Sequence, residues 1–437
     1  METAKKGSKK LLNAWAFYDW ANSVYSLVIA SAVFPIFYGA LFKKANIETV
    51  EVFGNAIRST PLISYTTAAA FLVVACLSPL LSGVADYVGN KKVFMKFFCY
   101  MGALSCMGLY WFSLENIHLS LFLYFLALIG FWGSLVFYNS YLPDIAFKEQ
   151  QDGISAKGYS LGYIGSVILL IFNLSMVMFP QVFGLGEGGD ASILAMKISF
   201  ITVGIWWIAF SQYSFYHLPR GNKNTNKLST KIVFNGFREL NGVYNSLSHN
   251  LKLKRFLAAF FVYSMAVQTV MLVATYFGEQ EINWGDDDKK TLGLILSILI
   301  IQLVAVLGAY LTSKASFKYG NINTLIIINC VWVVLCVTAF FIYEPTHFYI
   351  TAGFVGLVMG GIQSLSRSTY SKFLPDTQDT TSYFSFYDVA EKIGIVVGMF
   401  VYGFIDQVTG SMRNAILFLV VFFTAGVILL FRVPRKT

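Results

Sequence analysis

The chain has 437 residues, is 56% hydrophobic and 13% charged, and carries a net charge of +9. Soluble domains hold roughly 25% charged residues, so this composition cannot cover a water-facing surface, and a mean hydropathy of +0.62 makes lipid the natural solvent. The positive balance does not imply a nucleic-acid partner, because the cations collect where membrane topology puts them.

In chain order, Lys5, Lys6, Lys9 and Lys10 precede the first apolar run, 14–42. That run is too long for a cleaved leader, contains Asp19 and Asn22, and lacks a small-residue cleavage site, so it reads as an uncleaved first span. Runs of about 20 apolar residues are long enough to cross a bilayer as helices. Eleven more follow, at 60–85, 93–114, 117–142, 157–180, 192–217, 254–278, 290–313, 323–343, 346–373, 383–405 and 413–433. The expected class is an all-α polytopic membrane protein with twelve transmembrane helices. With the N-terminus in the cytoplasm, 24 of the 32 Lys and Arg residues fall on the cytoplasmic side and seven on the other, with Lys392 inside a span. Both termini are then cytoplasmic. Cys76, Cys99, Cys106, Cys330 and Cys336 all lie in apolar runs. They predict free, buried thiols with neither disulfide nor metal spacing, and no cofactor is expected.

The polar, basic stretch 218–253 separates an N-terminal six-helix bundle, 1–217, from a C-terminal one, 254–437. Within this stretch Val233, Phe237, Leu240, Tyr244 and Leu247 recur at spacings of three and four, predicting an amphipathic helix on the membrane surface. The bundles read as copies. Tyr138-Asn139-Ser140-Tyr141-Leu142-Pro143-Asp144 matches Tyr370-Ser371-Lys372-Phe373-Leu374-Pro375-Asp376 at an offset of 232, where Gly162 also falls on Gly394. Gly89-Asn90 falls on Gly320-Asn321 at an offset of 231. Two pseudo-symmetric halves related by a parallel repeat are the architecture of the major facilitator transporters.

Polar residues inside the spans are the candidate machinery, because an ionisable group in lipid is costly. Asp19, Asn22, Ser23 and Ser26 stand at i, i+3, i+4 and i+7 and form one stripe on a helix. Asp19 is expected to bind a substrate ammonium or carry a coupled proton, with a structural hydrogen bond as the alternative. Tyr18 and Tyr25 are expected to line the same cavity. In the eleventh span Asp388 and Lys392 have the spacing of an ion pair, leaving Glu391 as the unpaired carboxyl that exchanges protons; the alternative is a wet vestibule holding all three. Arg367 is the natural partner for Asp19, Glu391 or a substrate carboxylate, or else a cytoplasmic anchor. Gln268, Gln302 and Gln363 are candidate cavity amides. Gly158, Gly162 and Ser166, and likewise Gly394, Gly398 and Tyr402, are assigned to sliding seams between halves, packing within one bundle being the alternative. Gly360-Gly361 is expected to permit a bend. Asp286-Asp287-Asp288 reads as a solvated outer turn without the ligand spacing of a calcium loop.

The segment Ser82-Gly83-Val84-Ala85-Asp86-Tyr87-Val88-Gly89-Asn90-Lys91-Lys92 resembles the major facilitator signature between spans two and three, departing from it at Ser82, Tyr87 and Asn90. The opening run from Ala14 to Tyr25, followed by Val33-Phe34-Pro35-Ile36-Phe37, resembles the vacuole-effluxer-like branch of that superfamily, which includes the fungal autophagy-related amino-acid effluxers. Ser160 to Gly165 and Ser366-Arg367-Ser368 agree with it. The resemblance implies twelve-span alternating access by a secondary transporter, efflux of a small polar metabolite such as an amino acid, and a gating role for Asp86, Gly89 and Lys91. In that pattern Asp86 approaches the N-terminus of the eleventh span when the cytoplasmic side is closed. The expected partners are a small-molecule substrate, the lipid bilayer and protons. A monomer in a bacterial inner membrane is expected. The competing function is a non-transporting sensor or scaffold on a transporter fold. No nucleophile with an adjacent base or phosphate-binding glycine loop suggests an enzyme.

Overall fold

A computed structural model describes residues 5–52, 54–220 and 232–434. The first span runs from Lys9 to Ala45, and its middle, Tyr25–Val33, is wound as a π-helix. The second to sixth spans are Ser59–Val88, Lys91–Gly108, Ile117–Ser140, Lys148–Met178 and Gly189–His217. The seventh to twelfth are Leu251–Glu281, Asp287–Tyr319, Asn321–Ala339, Pro345–Phe373, Thr380–Thr409 and Met412–Phe431. Among the described residues, eleven helices are long and apolar enough to cross a membrane. The eleventh span, which carries Asp388, Glu391, Lys392 and Asp406, is not one of them. A short antiparallel hairpin, Thr49–Val52 with Asn55–Arg58, joins the first two spans.

Helix ends follow local chemistry. Gly89, at φ +68°, closes the second span, its amide donating to the Asp86 carbonyl. Glycine takes this left-handed turn without the Cβ penalty. The side chains of Asn250, Asp286 and Ser411 accept from the amides of Leu253, Lys289 and Asn414, which satisfies donors that a helix start leaves unpaired.

The chain forms two compact units. One comprises 1–139 and 161–233, the other 140–160 and 234–437. The first has an aromatic core in which Phe34 stacks on Tyr124 at 4.4 Å and Phe37 meets Phe200 edge-on at 5.1 Å. In the second, Trp332 lies parallel to Phe423 at 5.4 Å.

Two of the small residues assigned to sliding seams, Gly162 and Gly398, make close approaches inside their own units. A Cβ on Gly162 would strike Ser23 Oγ and come within 3.2 Å of the Asp19 carbonyl, whereas one on Gly398 would strike Thr269 Oγ1 and Met265. The fifth span thus closes on the first, and the eleventh on the seventh, because absent side chains let backbones approach. The tenth span is continuous, and Gly360 faces the Ala305 carbonyl of the eighth. Cys76 and Cys330 are exposed rather than buried.

The linker helix is present as Ile232–His249, but its docked face differs from the expected one. Val243 and Leu247 are buried and Tyr244 is exposed; Ser246 hydrogen-bonds the Tyr383 hydroxyl at 2.7 Å. Lys223, Lys227 and Lys231 lie outside the described residues, as do the side chains of Val233, Phe237 and Leu240.

Candidate functional site

In the N-terminal unit the first and fourth spans build a cluster around Asp19, which is 4% exposed. The Tyr138 hydroxyl donates to Asp19 Oδ2 at 2.7 Å. Trp15, one turn before Asp19, stacks on the Tyr138 ring at 4.6 Å, and its indole N–H donates to the Tyr138 carbonyl at 2.8 Å. Ring and backbone of Tyr138 are therefore both fixed, and its hydroxyl is aimed at the carboxylate.

Asn22 is also buried. Its Oδ1 accepts from Ser23 at 3.5 Å, and its Nδ2 has no partner among the described residues. A buried amide donor beside a buried carboxylate presents opposite hydrogen-bonding characters within one helical turn. Ser23 is half-buried, whereas Ser26 is exposed, so the predicted stripe narrows to Asp19, Asn22 and Ser23. The Tyr25 ring packs against Phe131 at 5.0 Å and Trp207 at 5.8 Å. The Tyr18 ring lies 5.0 Å from the Tyr138 ring.

In the C-terminal unit the eleventh span holds the densest charge. Lys392, 1% exposed, donates to Asp388 Oδ1 at 2.7 Å and to Glu391 Oε2 at 2.9 Å. Glu391 is therefore not the unpaired member. One ammonium serves two carboxylates, because i−4 and i−1 both fall within reach of a lysine stem turned back along the helix. From the seventh span Gln268 Nε2 donates to Glu391 Oε1 at 2.9 Å. With both acids ionised the cluster carries one surplus negative charge. Gln363, in the tenth span, donates to Met271 Sδ at 3.3 Å.

Arg367, 2% exposed, is tied to the start of the fifth span. Its Nε donates to Ser155 Oγ and its Nη2 to the Ser155 carbonyl, both at 3.0 Å, and its plane covers Tyr159 at 4.2 Å. Next to it is a group that the sequence reading missed. Asp152 accepts from Lys372 at 2.5 Å and from Ser316 and Asn321 at 2.9 Å each. Asp152 precedes the apolar run of its helix, so hydropathy hid it. Tyr138 carried a usable signal, since it opens the duplicated motif; its counterpart Tyr370 donates to the Tyr383 carbonyl. Asp86 lies half-buried in the last turn of the second span, and Lys91 is buried at the start of the third.

Comparison with known proteins agrees with this architecture. The family described as vacuole effluxer Atg22 like matches residues 7–437. An uncharacterized major-facilitator-type transporter of Bacillus subtilis, YxiO, is 30% identical, covering 97% of this chain and 95% of that protein. Autophagy-related protein 22 of Saccharomyces cerevisiae is 23% identical, covering 94% and 89%. Among solved structures, the Escherichia coli fucose:proton symporter FucP superposes with a TM-score of 0.68 at 15% identity over 98% of both chains. The proton:xylose symporter XylE gives 0.68 at 11% identity, covering 97% of this chain and 95% of that one. These likenesses establish the major facilitator fold, an all-α multi-pass membrane architecture, and relatives that are transporters rather than enzymes. The chain belongs to the vacuole effluxer Atg22-like family of membrane transporters.

Proposed function

We propose that this protein is a secondary active transporter that exports a small polar metabolite of the amino-acid class by alternating access, coupled to protons. The observation that carries the reading is the charge buried in the eleventh span, where Lys392 is 1% and Asp388 6% exposed. Asp388, Glu391 and Lys392 are held inside the unit, where an ion cluster costs more than a hydrophobic replacement unless it serves a purpose. Asp19 and Asn22 supply an acceptor and a donor suited to an ammonium and a carboxylate. Glu391 exchanges the proton, and Arg367 and Gln363 complete the polar lining of the tenth span. Asp86, Gly89 and Lys91 form the gating turn. The cellular setting that fits the basic-residue bias is a bacterial inner membrane with both termini in the cytoplasm.

Thermal-shift measurement of the purified protein against individual amino acids tests the substrate class. At least one is expected to raise the unfolding midpoint in the wild type and not in Asp19→Asn, since a ligand that binds the folded state stabilises it. Equal shifts in both would remove Asp19 from the binding site, and no shift with any amino acid would remove the substrate class.

A further inference from the structure

Gln268 is the group that touches Glu391 from another helix. It sits half-buried on the seventh span, and its amide N–H takes the Glu391 oxygen that Lys392 does not. Within the C-terminal unit the other charged or titratable groups near this acid are few. Asp388, Lys392 and Tyr387 lie on its own helix. Tyr387 in turn faces Tyr263 of the seventh span, Arg367 of the tenth and Tyr159 at the inner end of the fifth. The twelfth span carries Arg413 as its one charged residue, and this is bound to Glu281.

Each oxygen of Glu391 accepts an N–H in this arrangement, which is the pattern of an ionised carboxylate. Taking a proton from the medium turns one of these oxygens into an O–H donor. Facing a fixed N–H, that O–H would be opposed donor to donor. A glutamine amide resolves the conflict, because a half-turn about its last bond replaces Nε2 with Oε1 and converts donor to acceptor. The proton then sits on Glu391, Lys392 stays charged beside Asp388, and the surplus negative charge of the cluster is cancelled.

We infer that Gln268 is a positioning residue for proton exchange at Glu391, its amide reversing so that the carboxyl keeps a partner on the seventh span in both protonation states. The inference rests on the proton role proposed above for Glu391. It also links the charge state of the eleventh span to the seventh, against which that span packs closely at Gly398 and Thr269.

Infrared difference spectroscopy of the full-length protein in lipid vesicles, scanned across pH, reads the protonated-carboxyl band directly. Glu391→Gln identifies the band that belongs to Glu391. Gln268→Lys supplies only donors, so that band is expected to appear at lower pH, by about tenfold or more in proton concentration, the worth of a charge-assisted hydrogen bond. Gln268→Leu removes the partner of both forms, so the band is expected to stay within a few-fold of the wild-type proton concentration; a rise as large as the fall in Gln268→Lys would show a donor fixed in one orientation and overturn the inference. Unmoved titration in the Lys variant, with the Glu391 band still present, would likewise overturn the inference alone. Absence of any Glu391 band in the wild type would overturn the proton role and, with it, this inference.

Discussion

Lys392 Nζ lies 2.9 Å from Glu391 Oε2 while also contacting Asp388 at 2.7 Å, so a single buried cation holds two acids together on one helix. Removing it leaves two carboxylates facing each other in a site of low polarity. Lys392→Met is expected to lower stability by about 3–5 kcal/mol, the cost of breaking a buried ion pair from one side. The additional change Asp388→Asn should recover part of that loss. Thermal unfolding of the purified variants in detergent checks both, and a single variant as stable as the wild type would show that the cluster is not ionised as drawn.

Asp19→Asn is expected to abolish transport while membrane insertion and folding persist, because the amide keeps the shape of the side chain and one acceptor oxygen for Tyr138 but loses the charge. Tyr138→Phe removes one hydrogen bond to the same carboxylate, and its effect should be smaller, on the order of tenfold in transport rate for a contact worth about 1.5 kcal/mol. Vesicle uptake assays compare the two. Equal loss in both would mean that the tyrosine, not the acid, is the essential member.

Gly162→Leu is expected to prevent the first and fifth spans from closing. Any side chain at this position enters the space of Ser23 and the Asp19 backbone, and overpacking of this kind costs about 1–3 kcal/mol. Gly403, with open space around its missing Cβ, is the matched control: Gly403→Leu should leave stability and transport near wild type. Thermal midpoints of the pair measure the difference.

Arg413→Gln should loosen the end of the C-terminal unit at which the seventh span finishes. The guanidinium binds Glu281 through its side chain at 2.7 Å and its carbonyl at 2.7 Å, and also reaches the carbonyls of Phe340 and Ile342. These bonds gather the ends of the seventh and ninth spans onto the twelfth. Glu281 is partly exposed, so solvent screening reduces the ion-pair share, and a loss of about 2–3 kcal/mol is expected, most of it from buried carbonyls left without a donor. Hydrogen exchange at residues 277–284 and 338–343 should rise in the variant and remain slow elsewhere; no local increase would contradict the tie.

Hydropathy made the helices legible, since apolar runs of bilayer length admit few other structures. The eleventh span was read from the same apolar runs, at 383–405, and the helix observed there is Thr380–Thr409. The repeated Tyr-to-Asp motif and the opening run around Asp19 located the family. What stayed hidden depends on which face of a helix meets which neighbour. Spacing paired Asp388 with Lys392 but could not show that the lysine also reaches Glu391. The ring partners of Tyr25, Phe131 and Trp207, lie on the fourth and sixth spans, more than 100 residues away in sequence. Glycines in register across the repeat suggested seams between halves, whereas the close approaches they permit lie within each unit. Asp152 and Ser155 escaped notice because their partners, Lys372 and Arg367, lie more than 200 residues away in sequence.

Proton coupling through Glu391 is tested most directly by amino-acid flux in vesicles under an imposed pH gradient without ATP, comparing the wild type with Glu391→Gln. The account predicts flux that follows the gradient in the wild type, and exchange insensitive to the gradient in the variant. Flux that responds to the pH gradient equally in both proteins would contradict it.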